Sequence, residues 1–439
     1  MMKRRMSTTL LVASLATLSC LGTTVAHADE VPAAGQTVVS SSSEAAIDVA
    51  SLREQVAEHF AAVDLDPATR ASIDAAIASD DAFTAATADA VTLLQHGLES
   101  AGVDRDDAWA IEPGDYECGP TPMREWTAAE LAQIDPASWS WYNQGLLGLS
   151  PALFVQYWTL MKTPVAPHET AFGPGGSATN EVSRTFRSLQ EFWDIDGSGI
   201  GIVSLDAKVL GSDAQAVADR EFVYDRFDEV SPLISLILRL SVESGITRGM
   251  LDGFPGGVEN PVFSVNAFAI DPAGAGDSQD MLETLGITRR IAMGQGLVEV
   301  WNDLGLGRVG TRAVLAHEYA HQVQYDDELF ETDLTDEAEA TRRTELMADA
   351  FATYFTVSKR GAALNKEYTL QDLQTFYNVG DCSFANSGHH GTPNQRYASA
   401  AWGANLAQSA DDLGHVLPSM TVAAGFEQVL PELVAPDLD

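Results

Sequence analysis

The chain has 439 residues, with 63 Asp plus Glu against 25 Lys plus Arg, a formal net charge of −38. Charge of that sign and size argues against nucleic-acid and anionic-membrane partners, and favours solubility and cation binding. The length is enough for two or three compact units, each with its own core.

Residues 1–28 read as a secretory signal peptide. Lys3, Arg4 and Arg5 lead an apolar stretch that closes on "AHA" at Ala26 to Ala28. Cys20 offers a lipoprotein as the minor alternative, but "TLSC" lacks the leucine that usually precedes a lipidated cysteine. No later run reaches the roughly 18 apolar residues of a spanning helix. The expected mature chain is therefore exported, either secreted or held in the cell envelope, without stable membrane insertion. Its cysteines, Cys118 and Cys382, are expected to pair in an oxidising compartment.

Residues 29–43 are small and polar and read as a flexible lead-in. From 44 to 120 the pattern is helical, with Val49, Leu52, Val56, Phe60 and Val63 at three- and four-residue steps and a stop at Gly102. His59 and His96 in this region read as partly buried or surface histidines. Residues 121–250 form a middle region of unclear role, with a tryptophan-rich helical part and a buried helix ending near Gly245. Within it, "DIDGSGIGIVSL" places Asp194, Asp196 and Ser198 as in the first half of a calcium-binding loop. Leu205 stands where that loop needs a bidentate glutamate, so a turn leading into a strand is the better reading. From 251 to 430 the pattern changes again. "PVFSVNAFAI" reads as a strand, "RRIAMGQGLVEVW" as a strand through Ile291 and Met293, a Gly294/Gly296 turn and a helix, and two helices follow over about 310–327 and 336–358.

The first of those two helices carries "AHEYAHQVQ". Residues four apart lie one above the other on a helix, so His317 and His321 project side by side and can share one zinc ion. Glu318 is offset by about 100°, beside the ligand shell, where a carboxylate can move a proton to and from water. Catalytic zinc needs a third protein ligand. No histidine follows at the short metzincin spacing. The second helix offers "ELMADAF", in which Glu345 and Asp349 again share a face. Packed antiparallel to the first helix, it would bring Glu345 to the metal and let Asp349 fix a ligand imidazole. Tyr319 reads as a core aromatic.

"HEYAHQVQ", "ELMADAFA", "GDC" at Gly380 to Cys382 and "HGTPNQR" at His390 to Arg396 together resemble a bacterial neutral zinc metallopeptidase family and, more widely, the gluzincin peptidases. "VNAFAI" also resembles the membrane zinc peptidases of the prenyl-protein-protease type. The resemblance covers roughly residues 260–410. It implies zinc ligands His317, His321 and Glu345, general base Glu318 and supporting Asp349. The implied fold class is α+β and mainly helical: a zincin-like catalytic domain over 251–430 with a small sheet beside the motif helix, preceded by a helical N-terminal region. Gln322 departs from the family, which often has a second histidine there, and Cys382 replaces a carboxylate expected after "GD".

The "GHHGTPNQR" segment has two readings. His390, His389 or Arg396 could stabilise a developing oxyanion, or Arg396 could pair structurally with a carboxylate. The expected activity is peptide-bond hydrolysis, with an extended peptide or protein substrate along an edge strand near Ile291 to Met293. A degenerate zinc-binding or protein-interaction module is the alternative, and the N-terminal region could be a pro-segment or a docking module.

Overall fold

Among the described residues, five α-helices begin where the sequence writes a capping residue followed by proline. Asp66, Thr121, Asp135, Ser150 and Ser231 each accept from a backbone N–H of the first turn, and a proline follows each of them. The caps satisfy donors that a helix start leaves unpaired, and proline has no donor to lose there. In the computed structural model of the chain, residues 48–63, 65–100, 116–382, 388–411 and 415–437 are described. The expected signal peptide with Cys20, the lead-in and the stop at Gly102 lie outside them.

The N-terminal region forms α1 (Val49–Ala61), α2 (Pro67–Ala76) and α3 (Asp80–Ser100). The middle region forms α4 (Pro122–Leu131), α5 (Pro136–Gln144), α6 (Pro151–Met161), α7 (Thr179–Phe192), β1 (Gly201–Leu205), α8 (Ala214–Val230) and α9 (Pro232–Thr247). Then come β2 (Ala267–Ile270), α10 (Gln279–Thr284), β3 (Arg290–Gly294), α11 (Gln295–Asp303), α12 (Gly307–Asp326), α13 (Glu337–Val357), α14 (Lys366–Val379), α15 (Pro393–Asp411) and α16 (Ser419–Leu433). The chain is thus mainly helical with one small sheet.

That sheet runs β1-β3-β2, with β1 parallel and β2 antiparallel to β3. Gly201 faces Arg290 in one register, and Ala267 faces Met293 in the other. The expectation of an edge strand at Ile291 to Met293 is therefore corrected. β3 is the central strand, its backbone groups are taken on both sides, and no peptide can add to it.

Successive strand residues point to opposite faces, and both faces are covered. Ile202, Ala267, Ala269, Ile291 and Met293 join a core with α4, α7 and α11 to α16. Val203, Leu205, Phe268, Ile270 and Ala292 join a second core with α1 to α3, α5, α6 and α8 to α10. This two-sided burial accounts for the continuous apolar reading of the strands. Each large apolar side chain so buried contributes about 1.5–3 kcal/mol. The sheet draws β1 from the middle region and β2 and β3 from the region after it.

Within the first core, α12 lies among α7, α11, α13, α14 and β2, and it is buried from Val309 to Gln324 almost without interruption. Helix α13 packs between α12 and α15. The approach of α15 depends on Gly403, where a Cβ would lie 2.2 Å from the Ala350 carbonyl oxygen. The sequence EF-hand fragment forms a turn leading into β1. Asp196 accepts from the Ser198 N–H at 3.0 Å, Asp194 accepts from the Ser419 N–H at 3.0 Å, and Leu205 is a buried strand residue.

Candidate metal centre

Helical spacing on α12 stacks His317 over His321, and packing of α13 against α12 brings Glu345 to both. His317 Nε2 lies 3.2 Å from Glu345 Oε2, and His321 Nε2 lies 3.0 Å from Glu345 Oε1. The two Nε2 atoms are 3.1 Å apart. Bonds of about 2.0–2.1 Å to a tetrahedral ion put its ligands roughly 3.3 Å from one another, close to the spacing of the two nitrogens and of each nitrogen from one carboxylate oxygen. Among the described residues, this is the group of three whose ligand atoms can hold a metal ion together.

The orientation of each imidazole is set from behind. His317 Nδ1 lies 2.8 Å from Asp349 Oδ1. Asp349 in turn accepts from Arg396 Nε at 2.7 Å and from Nη2 at 2.6 Å, a fork-on-carboxylate pair buried between α13 and α15. His321 Nδ1 lies 2.7 Å from Gln324 Oε1, and the Gln324 amide donates to the Thr344 carbonyl at 2.8 Å. With Nδ1 protonated in both rings, both Nε2 lone pairs are turned toward Glu345 and a metal. Two nitrogens and one carboxylate oxygen are a donor set that suits a divalent transition ion.

The electrostatics express the same crowding. Burial disfavours a charged His317, but Glu345 and Asp349 outweigh it and hold the ring up at about 10 in the metal-free site. Burial pulls His321 down. Burial also opposes charge on Glu345, yet the two imidazoles hold its carboxyl well below the usual range. Glu318 is the exception: burial pushes it up to about 8. Both of its carboxylate oxygens are buried and have no hydrogen-bond partner among the described residues.

The "GHH" histidines converge on one acid. Asp381 Oδ1 lies 2.7 Å from His389 Nδ1, and Oδ2 accepts from the His390 N–H at 2.8 Å with His390 Nδ1 at 3.1 Å. Burial works against a charged His390, but Asp381 and Glu345 together raise it to about 9. Its charge also acts on Glu318. Cys118 and Cys382 are joined by a disulfide with Cα atoms 5.7 Å apart.

Gln324 plays no part in the sequence reading of the site, and Asp381 enters it only as the middle of "GDC", without a role of its own. Gln324 could have been found by its three-residue spacing from His321, which puts it on the same helix face. Asp381 carries no such signal, because its partners stand eight and nine residues beyond it, outside any shared helix. Gln322 ties the motif helix to the sheet: its amide donates to the carbonyls of Ile270 and Arg290, both at 3.2 Å. Its oxygen accepts from Arg289 at 2.7 Å. Tyr319 is a core aromatic, packed edge-on to Phe186. No helix of the described residues is long and apolar enough to cross a membrane. No family model, curated protein or solved structure matches the chain.

Proposed function

We propose that the chain is an exported zinc metallopeptidase of the gluzincin type, with a zincin-like catalytic unit. The observation that carries the reading is the pairing of a ligand triad with a spare acid. His317, His321 and Glu345 offer three ligand atoms within 4.8 Å of one another, and Glu318 beside them is buried with neither oxygen spent on a structural bond. A purely structural metal has no use for that carboxylate, which burial makes costly.

Zinc held there supplies Lewis acidity toward a peptide carbonyl and lowers the pKa of water. Glu318 takes the proton from the attacking water and carries it to the leaving amine. His390, its ring set by Asp381, donates toward the carbonyl oxygen as that oxygen gains charge. Asp349 and Gln324 keep the ligand rings in the productive tautomer. The residues of β2, the edge strand that packs on α12, are each at most 1 % exposed, so a substrate carbonyl would reach the zinc without pairing with the sheet. Asn266, just before β2, keeps a buried Oδ1 without a hydrogen-bond partner among the described residues.

Zinc content and peptide hydrolysis of the mature protein, beside Glu318→Gln, test this. The variant is expected to keep one zinc per chain and to lose about 10²–10⁴-fold in kcat. Full activity in the variant sinks the mechanism. One observation favours a second reading, in which the metal only supports the fold: His317, Glu318, His321 and Glu345 are each at most 1 % exposed. In that case chelation lowers Tm, while wild type and variant alike hydrolyse nothing.

A further inference from the structure

We propose that the Cys118–Cys382 disulfide is a positioning clamp on Asp381 and, through that carboxylate, on His389 and His390. Asp381 is the chain neighbour of Cys382, and adjacent Cα atoms are held 3.8 Å apart. The bonded sulfur therefore cannot shift far without carrying Asp381 with it. The Cys118 end is itself anchored. Thr121 Oγ1 donates to the Asn378 carbonyl at 2.8 Å, the Met123 N–H donates to Asn378 Oδ1 at 3.2 Å, and Tyr116 donates to the Val434 carbonyl at 3.2 Å. The segment from Tyr116 to Met123 is thus docked on the ends of α14 and α16, and Met123 is fully buried.

At the other end, the Asp381 N–H donates to the Gly391 carbonyl at 3.0 Å. Its two carboxylate oxygens are divided between the histidines: Oδ1 serves His389, while Oδ2 serves both the backbone and the ring of His390. One carboxylate with fixed orientation therefore aims two side chains. A displacement of about 1 Å at such a group can cost on the order of 10²-fold in rate. The bond joins residues 264 positions apart, so it also restricts the unfolded chain and steadies the fold as a whole. A useful test must separate these two roles.

The inference rests on the peptidase reading for its kinetic readout alone, so a second readout is hydrogen exchange of the backbone. The variants are Cys118→Ser with Cys382→Ser, Asp381→Asn, and the three changes combined. In the cysteine pair, amides of residues 388–392 are expected to exchange faster, while those of 317–321 and 345–349 stay protected. One metal per chain is retained, KM stays within about twofold, and kcat falls about 10–100-fold, the usual reach of a supporting contact. The combined variant is expected to lose no more than Asp381→Asn does, because both act through one carboxylate.

Unchanged exchange over 388–392, a uniform rise across the chain, or losses that multiply in the combined variant overturn the proposal. If the cysteine pair does not fold, Thr121→Val loosens the anchored end with the disulfide intact. It is expected to speed exchange over 388–392, and unchanged exchange there again overturns the clamp. If the wild type hydrolyses no peptide, the peptidase reading fails, and exchange still decides the clamp.

Discussion

The two cores on either side of the sheet are both well buried and differ in what they bury. On the side of α6 and α8, the deeply buried cation Arg290 donates to the backbone carbonyls of Leu160, Lys162 and Thr288. Among the described residues no acid pairs with it, and burial draws it down to about 10. On the metal side, Glu318, Glu345, Asp349, Asp372 and Asp381 are all buried, together with His317, His321, His389, His390 and Arg396. Taking each charge out of water costs several kcal/mol, and apolar residues of similar volume often serve stability as well or better. The far core shows this chain packing a core mostly from apolar side chains. Under the proposed function, the charges on the metal side serve chemistry rather than folding.

Substitutions on the two sides should separate accordingly. The largest effect is expected for Asp349→Ala, which strands Arg396 as an unpaired buried cation and frees His317 Nδ1. A loss of about 3–5 kcal/mol in stability and about 10–100-fold in metal affinity should appear in denaturant melts and metal titrations. A variant of wild-type stability would erase the contrast between the cores. Next comes Gln324→Leu, which removes the acceptor from His321 Nδ1. Metal affinity should fall about 10-fold with no comparable change in metal-free stability.

Asp372 offers a pH test. Burial raises its carboxyl to about 7, while its Oδ2 accepts from Thr356 at 2.6 Å. The folded state thus binds a proton more tightly than the unfolded one. The associated stability is complete below about pH 4, the unfolded value, and is lost as pH rises through about 7. Asp372→Asn should flatten that slope in metal-free protein, and an unaltered slope would assign it to other groups. The smallest effect is expected for Ile237→Val in the far core. It should cost about 0.5–1.5 kcal/mol and leave metal affinity at the wild-type value; weaker binding would mean that the sheet transmits strain between the cores.

Much of the ligand set was legible because helical periodicity is local. His317 with His321, and Glu345 with Asp349, each share a face through four-residue spacing, whatever surrounds them. The helices themselves, expected over 310–327 and 336–358, run over Gly307–Asp326 and Glu337–Val357. The strand at Ile291 was legible too, but its place in the sheet was not. An apolar run does not distinguish a central strand from an edge, since pairing is decided by distant segments. The partner of Asp349 was legible only as an open choice, Arg396 with some carboxylate, because Arg396 comes from α15; the histidines on Asp381 stand eight and nine residues beyond it, outside any shared helix.

By itself, then, the sequence determined the helices, their caps and the two stacked pairs, His317 with His321 and Glu345 with Asp349, because backbone sterics and hydrogen bonding act within a few residues. Only the tertiary structure decided that β3 is central, that one sheet separates two unlike cores, and that Arg396, Gln324 and Asp381 stand behind the candidate site. Those contacts join residues that helical periodicity cannot relate, or choose among side chains that local spacing leaves equivalent. They exist because burying both faces of the sheet forces the buried polar groups to find partners.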